Sequence, residues 1–164
     1  MMRVGFRAAR LALIGAALML PAGFAAAEDP GVAAIIKTRQ HKLKDIVGKD
    51  AKEISDQLKS GSLDKTLIQS DASEIDKTLK DLPTWFPKGS GPEAGIKTAA
   101  KSEIWEQPDQ FHKAYEDAQA AADNFAKVAE ASGGDPSAVG AAFMTLGRAC
   151  GACHKPFRVK QEEQ

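Results

Sequence analysis

Both cysteines of this 164-residue chain fall within one pentapeptide, Cys150-Gly151-Ala152-Cys153-His154, with ten residues after it. Two thiols so placed cannot staple distant parts of a chain, and they are too few for a disulfide scaffold or a four-thiolate metal site. The fold must therefore rest on an apolar core, which a chain that is 43% hydrophobic can build. Past residue 27 the chain is alanine-rich, with one tyrosine and five valines, which suits helices better than strands.

The first 27 residues stand apart. Arg3, Arg7 and Arg10 give a basic start without any acid, Leu11 to Leu20 is apolar throughout, and Ala25-Ala26-Ala27 precedes Glu28. This is the pattern of a secretory signal peptide, predicting residues 1–27 as a leader and 28–164 as the mature domain. A membrane anchor is the alternative, but the uncharged stretch includes Gly15, Pro21 and Gly23 and is shorter than the ~20 residues needed to span. In a Gram-negative cell the product is expected in the periplasm. Beyond the leader the chain has 19 basic and 22 acidic residues, a net charge near −3. That balance argues against nucleic-acid binding, and no later run is apolar for long enough to cross a bilayer.

Four amphipathic helices are predicted. Asp29-Pro30 starts the first, which runs to about Lys59 with Ile36, Leu43, Ile46, Val47, Ile54 and Leu58 on its buried side and a bend between Gly48 and Lys52. The second, from about Leu63 to Leu82, buries Leu63, Leu67, Ile75, Leu79 and Leu82 and ends at Pro83. A long connection follows, rich in glycine and proline, with Trp85, Phe86 and Trp105 as its anchors and a helical turn or two between Ala94 and Ile104. The third starts near Pro108 and has the clearest period, Phe111, Tyr115, Ala118, Ala122, Phe125 and Ala129. Asp135-Pro136 opens the fourth, which reaches about Lys160 with Val139, Phe143, Leu146, Cys150, Cys153 and Phe157 on one face. The expected fold is all-α, an antiparallel four-helix bundle. An architecture alone assigns no function.

Chemistry enters with the pentapeptide. C-x-x-C-H is the attachment sequence of c-type haem. Both sulfurs can form thioethers with the two vinyl groups from one helix face, and His154 is carried under the macrocycle, where its imidazole can bind iron. Gly151 and Ala152 keep the intervening turn small. Rival readings are a plain disulfide, a redox-active C-x-x-C and half of a zinc site. A thioredoxin-like pair should accompany a strand-helix-strand pattern, which is not visible, and zinc would have only His41 and His112 to draw on. The prediction is one covalent haem c per chain, attached near the C-terminus, with His154 as the metal ligand.

At this point the chain resembles a family, the class II c-type cytochromes or cytochrome c' group. The matching residues are Gly147-Arg148-Ala149-Cys150-Gly151-Ala152-Cys153-His154 with Phe157-Arg158, Thr38-Arg39-Gln40 with Leu43, Leu82-Pro83 with Phe86-Pro87, and Ser102-Glu103-Ile104-Trp105. The resemblance spans the mature chain. It implies a four-helix bundle with haem in the last helix, Leu43 on the distal side of the iron, Arg39 near the haem propionates and Arg158 close to His154. The alternative for Arg39 is a surface cation, and for Arg158 a favourable charge in the last helical turn. Phe143 could line the haem, although phenylalanine at this spacing is core by default.

Some members of that family carry a methionine as sixth ligand, making low-spin electron carriers. Leu43 has no donor atom, and Met144, the one methionine beyond the leader, lies on the same helix as His154, about 15 Å back along the axis. His41 is the rival ligand. At roughly 100° per residue it points away from Leu43, so leucine toward the iron means histidine outward, whereas a slip of two residues in the family's register reverses the two. Lys42 and Lys44 could ligate only with distortion of the helix, and His112, next to Phe111, is expected at the surface. The expected state is five-coordinate, high-spin iron that binds nitric oxide or another diatomic gas, with a redox protein as partner and no enzymatic role; the alternative is a six-coordinate electron-transfer cytochrome. A weak peroxidase ranks below both because no distal acid-base pair is visible. Homodimerisation through the first two helices is implied by the resemblance, but Lys49, Asp50, Lys52, Glu53 and Asp56 make that stretch strongly charged.

Overall fold

A computed structural model describes residues 30–132 and 134–160; the leader lies outside them. The first apolar stripe forms a helix that changes pitch on the way. α1 (Pro30–His41) passes into a π-helical segment, Lys42–Gly48, which leads directly into α2 (Lys49–Ser60). The irregularity therefore sits just before the bend expected between Gly48 and Lys52. Gly48 permits it locally, since a Cβ there would stand 3.2 Å from the Leu43 carbonyl oxygen. Gly61, with φ 72°, takes the left-handed conformation that ends α2.

Asp64 starts α3 (Lys65–Lys80): its carboxylate accepts the Leu67 N–H at 3.1 Å. This helix buries Ile68, Ala72, Ile75 and Leu79, and is shorter than the expected 63–82 because the chain tightens into a 3-10 turn over Leu82–Trp85, where Pro83 cannot continue an α-helix. The connection then holds a second 3-10 turn at Pro92–Ala94 and the short α4 (Glu103–Glu106). α5 (Pro108–Ala131) and α6 (Pro136–Phe157) both begin at a proline, and the Asp135 carboxylate accepts the Ser137 N–H at 3.1 Å. α6 stops at Phe157, short of the expected Lys160, because Arg158 turns extended and pairs with Ala100 in an isolated antiparallel bridge.

Ile54, Ala72, Ile75, Ala122, Phe125, Val139 and Leu146 centre the main core, shared by α2, α3, α5 and α6. A second cluster, Ala100, Ile104 and Phe157, seals the end of α6 beneath the connection. The expected four-helix bundle is the observed architecture, with α1, the π-helical segment and α2 together making the first of its four members. No helix among the described residues is long and apolar enough to cross a membrane.

Candidate functional site

α6 carries Cys150, Cys153 and His154 within its last two turns. Cys150 is half-buried against the main core and Cys153 against the second cluster, on which Phe86, Trp105 and Phe111 also pack. Both are free thiols. Burial raises the pKa of Cys150, and burial followed by the neighbouring Cys150 pushes Cys153 up to about 11. A redox-active C-x-x-C works by lowering a thiol's pKa, so this environment opposes that reading. The donor set fits c-type haem instead: two neutral thiols on one helix face, followed by an imidazole. His154 is exposed, and desolvation by nearby protein atoms, then the charge of Arg158, lower its pKa. Both effects favour the neutral imidazole, the form that binds metal. Ala152 lines a shallow groove with Ala149 and Ala114 between α5 and α6, and a Cβ added to Gly151 would meet no protein atom within 4 Å.

The end of α6 is held by the connection. Val159 N–H donates to the Ala99 carbonyl at 2.8 Å and Lys101 N–H to that of Phe157 at 3.1 Å. Phe157 meets Phe111 edge-on at 5.3 Å between centroids, and Phe111 meets Phe86 at 5.2 Å. The Trp105 indole N–H is shared by the Phe86 and Pro87 carbonyls, each at 3.1 Å. Gly91 lets Trp105 in: a Cβ there would lie 2.7 Å from the indole ring.

Arg39 ties this connection to α1. It is 2% exposed, which corrects the reading of a surface cation. Nη1 donates to the Trp85 carbonyl at 3.3 Å and Ser90 Oγ at 3.0 Å, and Nη2 to the Ser90 carbonyl and Thr98 Oγ1, both at 2.7 Å. The guanidinium also sits 4.8 Å over the Phe86 ring. Burial brings its pKa down to about 10, opposed by Glu93, so it keeps its charge at neutral pH. Ser90, fully buried, escaped the sequence reading because Gly89-Ser90-Gly91 looks only like a chain breaker.

The other expected residues fall as follows. Leu43 lies in the π-helical segment, half-buried, and packs on the same main cluster as Cys150. His41 is exposed and bonded to Asp45 at 3.0 Å, on the outer side as its helical phase predicts. Arg158 follows α6 directly and is exposed near His154. Phe143 packs into the main core, 5.5 Å from Phe125, so its surroundings are those of a core residue. Met144 and His112 are exposed, the latter facing Glu116 at 3.3 Å.

Comparison with known proteins converges on one family. The family model described as Cytochrome C' matches residues 34–158. Cytochrome c' of Rhodospirillum rubrum is 42% identical over 88 residues, which are 53% of this chain and 56% of that protein, just over half its length. The crystal structure of cytochrome c' from Thermochromatium tepidum superposes with a TM-score of 0.72 at 24% identity, covering 82% of this chain and all of that one. The nitric oxide complex of a leucine-to-alanine variant of cytochrome c prime from Alcaligenes xylosoxidans gives 0.69 at 21% identity, covering 79% and 97%. The last two likenesses are of fold.

Proposed function

Since the chain belongs to the cytochrome c' family, with haem c as its cofactor, we propose that Cys150, Cys153 and His154 hold one haem and that Leu43 covers its distal side. Such a group supplies an iron that binds diatomic gases and exchanges one electron. The residues of this chain set what reaches it. The thiols fix it by two thioethers, His154 binds the iron from α6, and Arg158 places a cation beside that imidazole. Leu43 supplies bulk without a donor atom, which leaves the iron five-coordinate and high-spin. An apolar distal side favours nitric oxide and carbon monoxide over dioxygen, which needs a hydrogen bond to stabilise its bound form. Arg39, with four of its five N–H groups already donated, is assigned to holding the connection rather than to pairing with a propionate. Residues 1–27 export the chain to the periplasm, where 28–164 is the working domain.

The observation that carries this reading is the pair Leu43 and His41. The first lies half-buried on the cluster that receives Cys150, while the second is exposed and engaged by Asp45. The test is an absorption spectrum of periplasmically matured protein, ferric and dithionite-reduced, with and without nitric oxide and carbon monoxide. Covalent haem with high-spin bands that move on adding gas is expected, with faster gas binding in Leu43→Ala. Low-spin bands unmoved by carbon monoxide, reverting to high-spin in His41→Ala, would replace this reading with a six-coordinate electron carrier.

A further inference from the structure

Net charge hides a strong separation of charge. Residues 30–44, 97–101 and 136–160 carry ten lysines and arginines and no carboxylate, whereas residues 45–96 and 102–135 carry eighteen carboxylates and nine cations. The fold places the three basic stretches side by side. The Gln40 amide donates to the Lys97 carbonyl at 2.9 Å, and Arg39 to Thr98, which joins α1 to the connection. The bonds of Ala99 and Lys101 to Val159 and Phe157 join the connection to the end of α6. Lys37 and Gln40, three apart on α1, share the side that meets Lys97. The basic strip thus runs from α1 across residues 97–101 to Lys155 and Arg158, which directly follow the attachment motif.

Pairing differs between the two regions as well. Ion pairs run along α2, α3 and α5, for example Lys52 with Asp56, Lys80 with Asp76 and Lys127 with Asp123. Among the described residues Lys37, Lys101, Arg148, Lys155, Arg158 and Lys160 have no carboxylate partner. Unneutralised like charge around a site costs stability unless a partner uses it.

We propose that this strip is the docking surface for a redox partner presenting an acidic face beside the attachment motif. The proposal rests on the haem reading above and reverses what the net charge near −3 suggests, a basic partner. A protein is favoured over an anionic bilayer because the cations are spread over three segments around the motif, and Met144, the one large hydrophobic side chain strongly exposed among the described residues, gives no apolar face for insertion.

The experiment is stopped-flow reduction of the ferric matured protein by reduced flavodoxin, an acidic protein, across ionic strength, with haem absorbance read first on the same sample. The rate is expected to fall with salt, to drop about tenfold at low salt in Lys37→Glu/Lys101→Glu, and to change less than about twofold in Lys65→Glu/Lys77→Glu, which alters net charge equally on exposed α3 positions. Circular dichroism confirms that both pairs fold. A rate rising with salt, or equal losses in the two pairs, overturns the docking surface while leaving the haem reading intact. A colourless protein overturns both. Salt-resistant binding to phosphatidylglycerol vesicles without salt-dependent reduction by flavodoxin assigns the strip to lipid instead and overturns the protein partner.

Discussion

The π-helical segment that carries Leu43 is flanked by two buried charge sites of opposite quality. Before it, Arg39 is 2% exposed and has four hydrogen bonds and an aromatic face. After it, Asp50 and the neighbouring Asp71 of α3 are each 6% exposed, and Asp71 Oδ2 has no partner. Burial, then the charges of Asp50 and Glu53, push the Asp71 pKa up to about 6, with Lys49 opposing; burial likewise raises Asp50. A desolvated charge is tolerable when its hydrogen-bonding capacity is filled and becomes a pH-dependent liability when it is not. The first site therefore fixes where α1 meets the connection, while the second leaves the α2–α3 contact sensitive to protons.

Breaking the satisfied site should cost most. Arg39→Met strands the Trp85 and Ser90 carbonyls and is expected to lower the stability of the haem-loaded protein by about 3–5 kcal/mol in denaturant titrations. Proteolysis between Lys88 and Lys101 should accelerate in parallel. Arg39→Lys keeps the charge but not the planar fork, so it should recover part of that loss and remain about 1–2 kcal/mol below the parent. A lysine variant as stable as the parent would mean that charge alone, rather than the four-way geometry, holds the connection.

The unsatisfied site should respond with the opposite sign. Asp71 has a folded-state pKa above its unfolded value, so between about pH 4 and 6 the folded state binds more protons, and stability falls as pH rises through that window. Asp71→Asn removes the Asp71 share of the fall, leaving that of Asp50, and gives a donor that can face Asp50. It is expected to stabilise the protein by about 1–2 kcal/mol at pH 7 and by little below about pH 3. Thermal unfolding of both forms from pH 4 to 7 measures the difference; a constant offset across that range would show that shape, not ionisation, distinguishes the two residues.

The two sites also show what a sequence discloses. Helix number, order and most buried faces follow from apolar periodicity, and Phe125, Val139 and Leu146 sit where that period puts them. The attachment motif is local, so Cys150, Cys153 and His154 are legible as a unit. The π-helical segment is not, because a change from i−4 to i−5 bonding leaves no mark in residue types. Asp50 reads as part of a charged surface stripe, yet it faces α3; periodicity counts the apolar residues, and a carboxylate carried inward by the shifted phase after Gly48 is invisible to it. Arg39 stands out through the family resemblance, but its partners Ser90 and Thr98 lie 51 and 59 residues away in the chain, and nothing local encodes such pairings.

The smallest expected effect tests whether the acidic site is a coupled pair. Lys49 lies 3.6 Å from Asp50, is 68% exposed, and counteracts the rise in pKa at both carboxyls. Replacing it with methionine removes that help, so both acids become harder to ionise in the folded protein, and stability at pH 7 should fall by a few tenths of a kcal/mol, about the worth of an exposed ion pair. The loss should fade below about pH 3, where both carboxyls are protonated whether the chain is folded or not, and at 1 M salt, where an exposed cation is screened. In the Asp71→Asn background it should shrink, since only Asp50 remains for Lys49 to serve. An undiminished loss there would show that Lys49 acts on Asp50 alone and that the two carboxyls titrate independently.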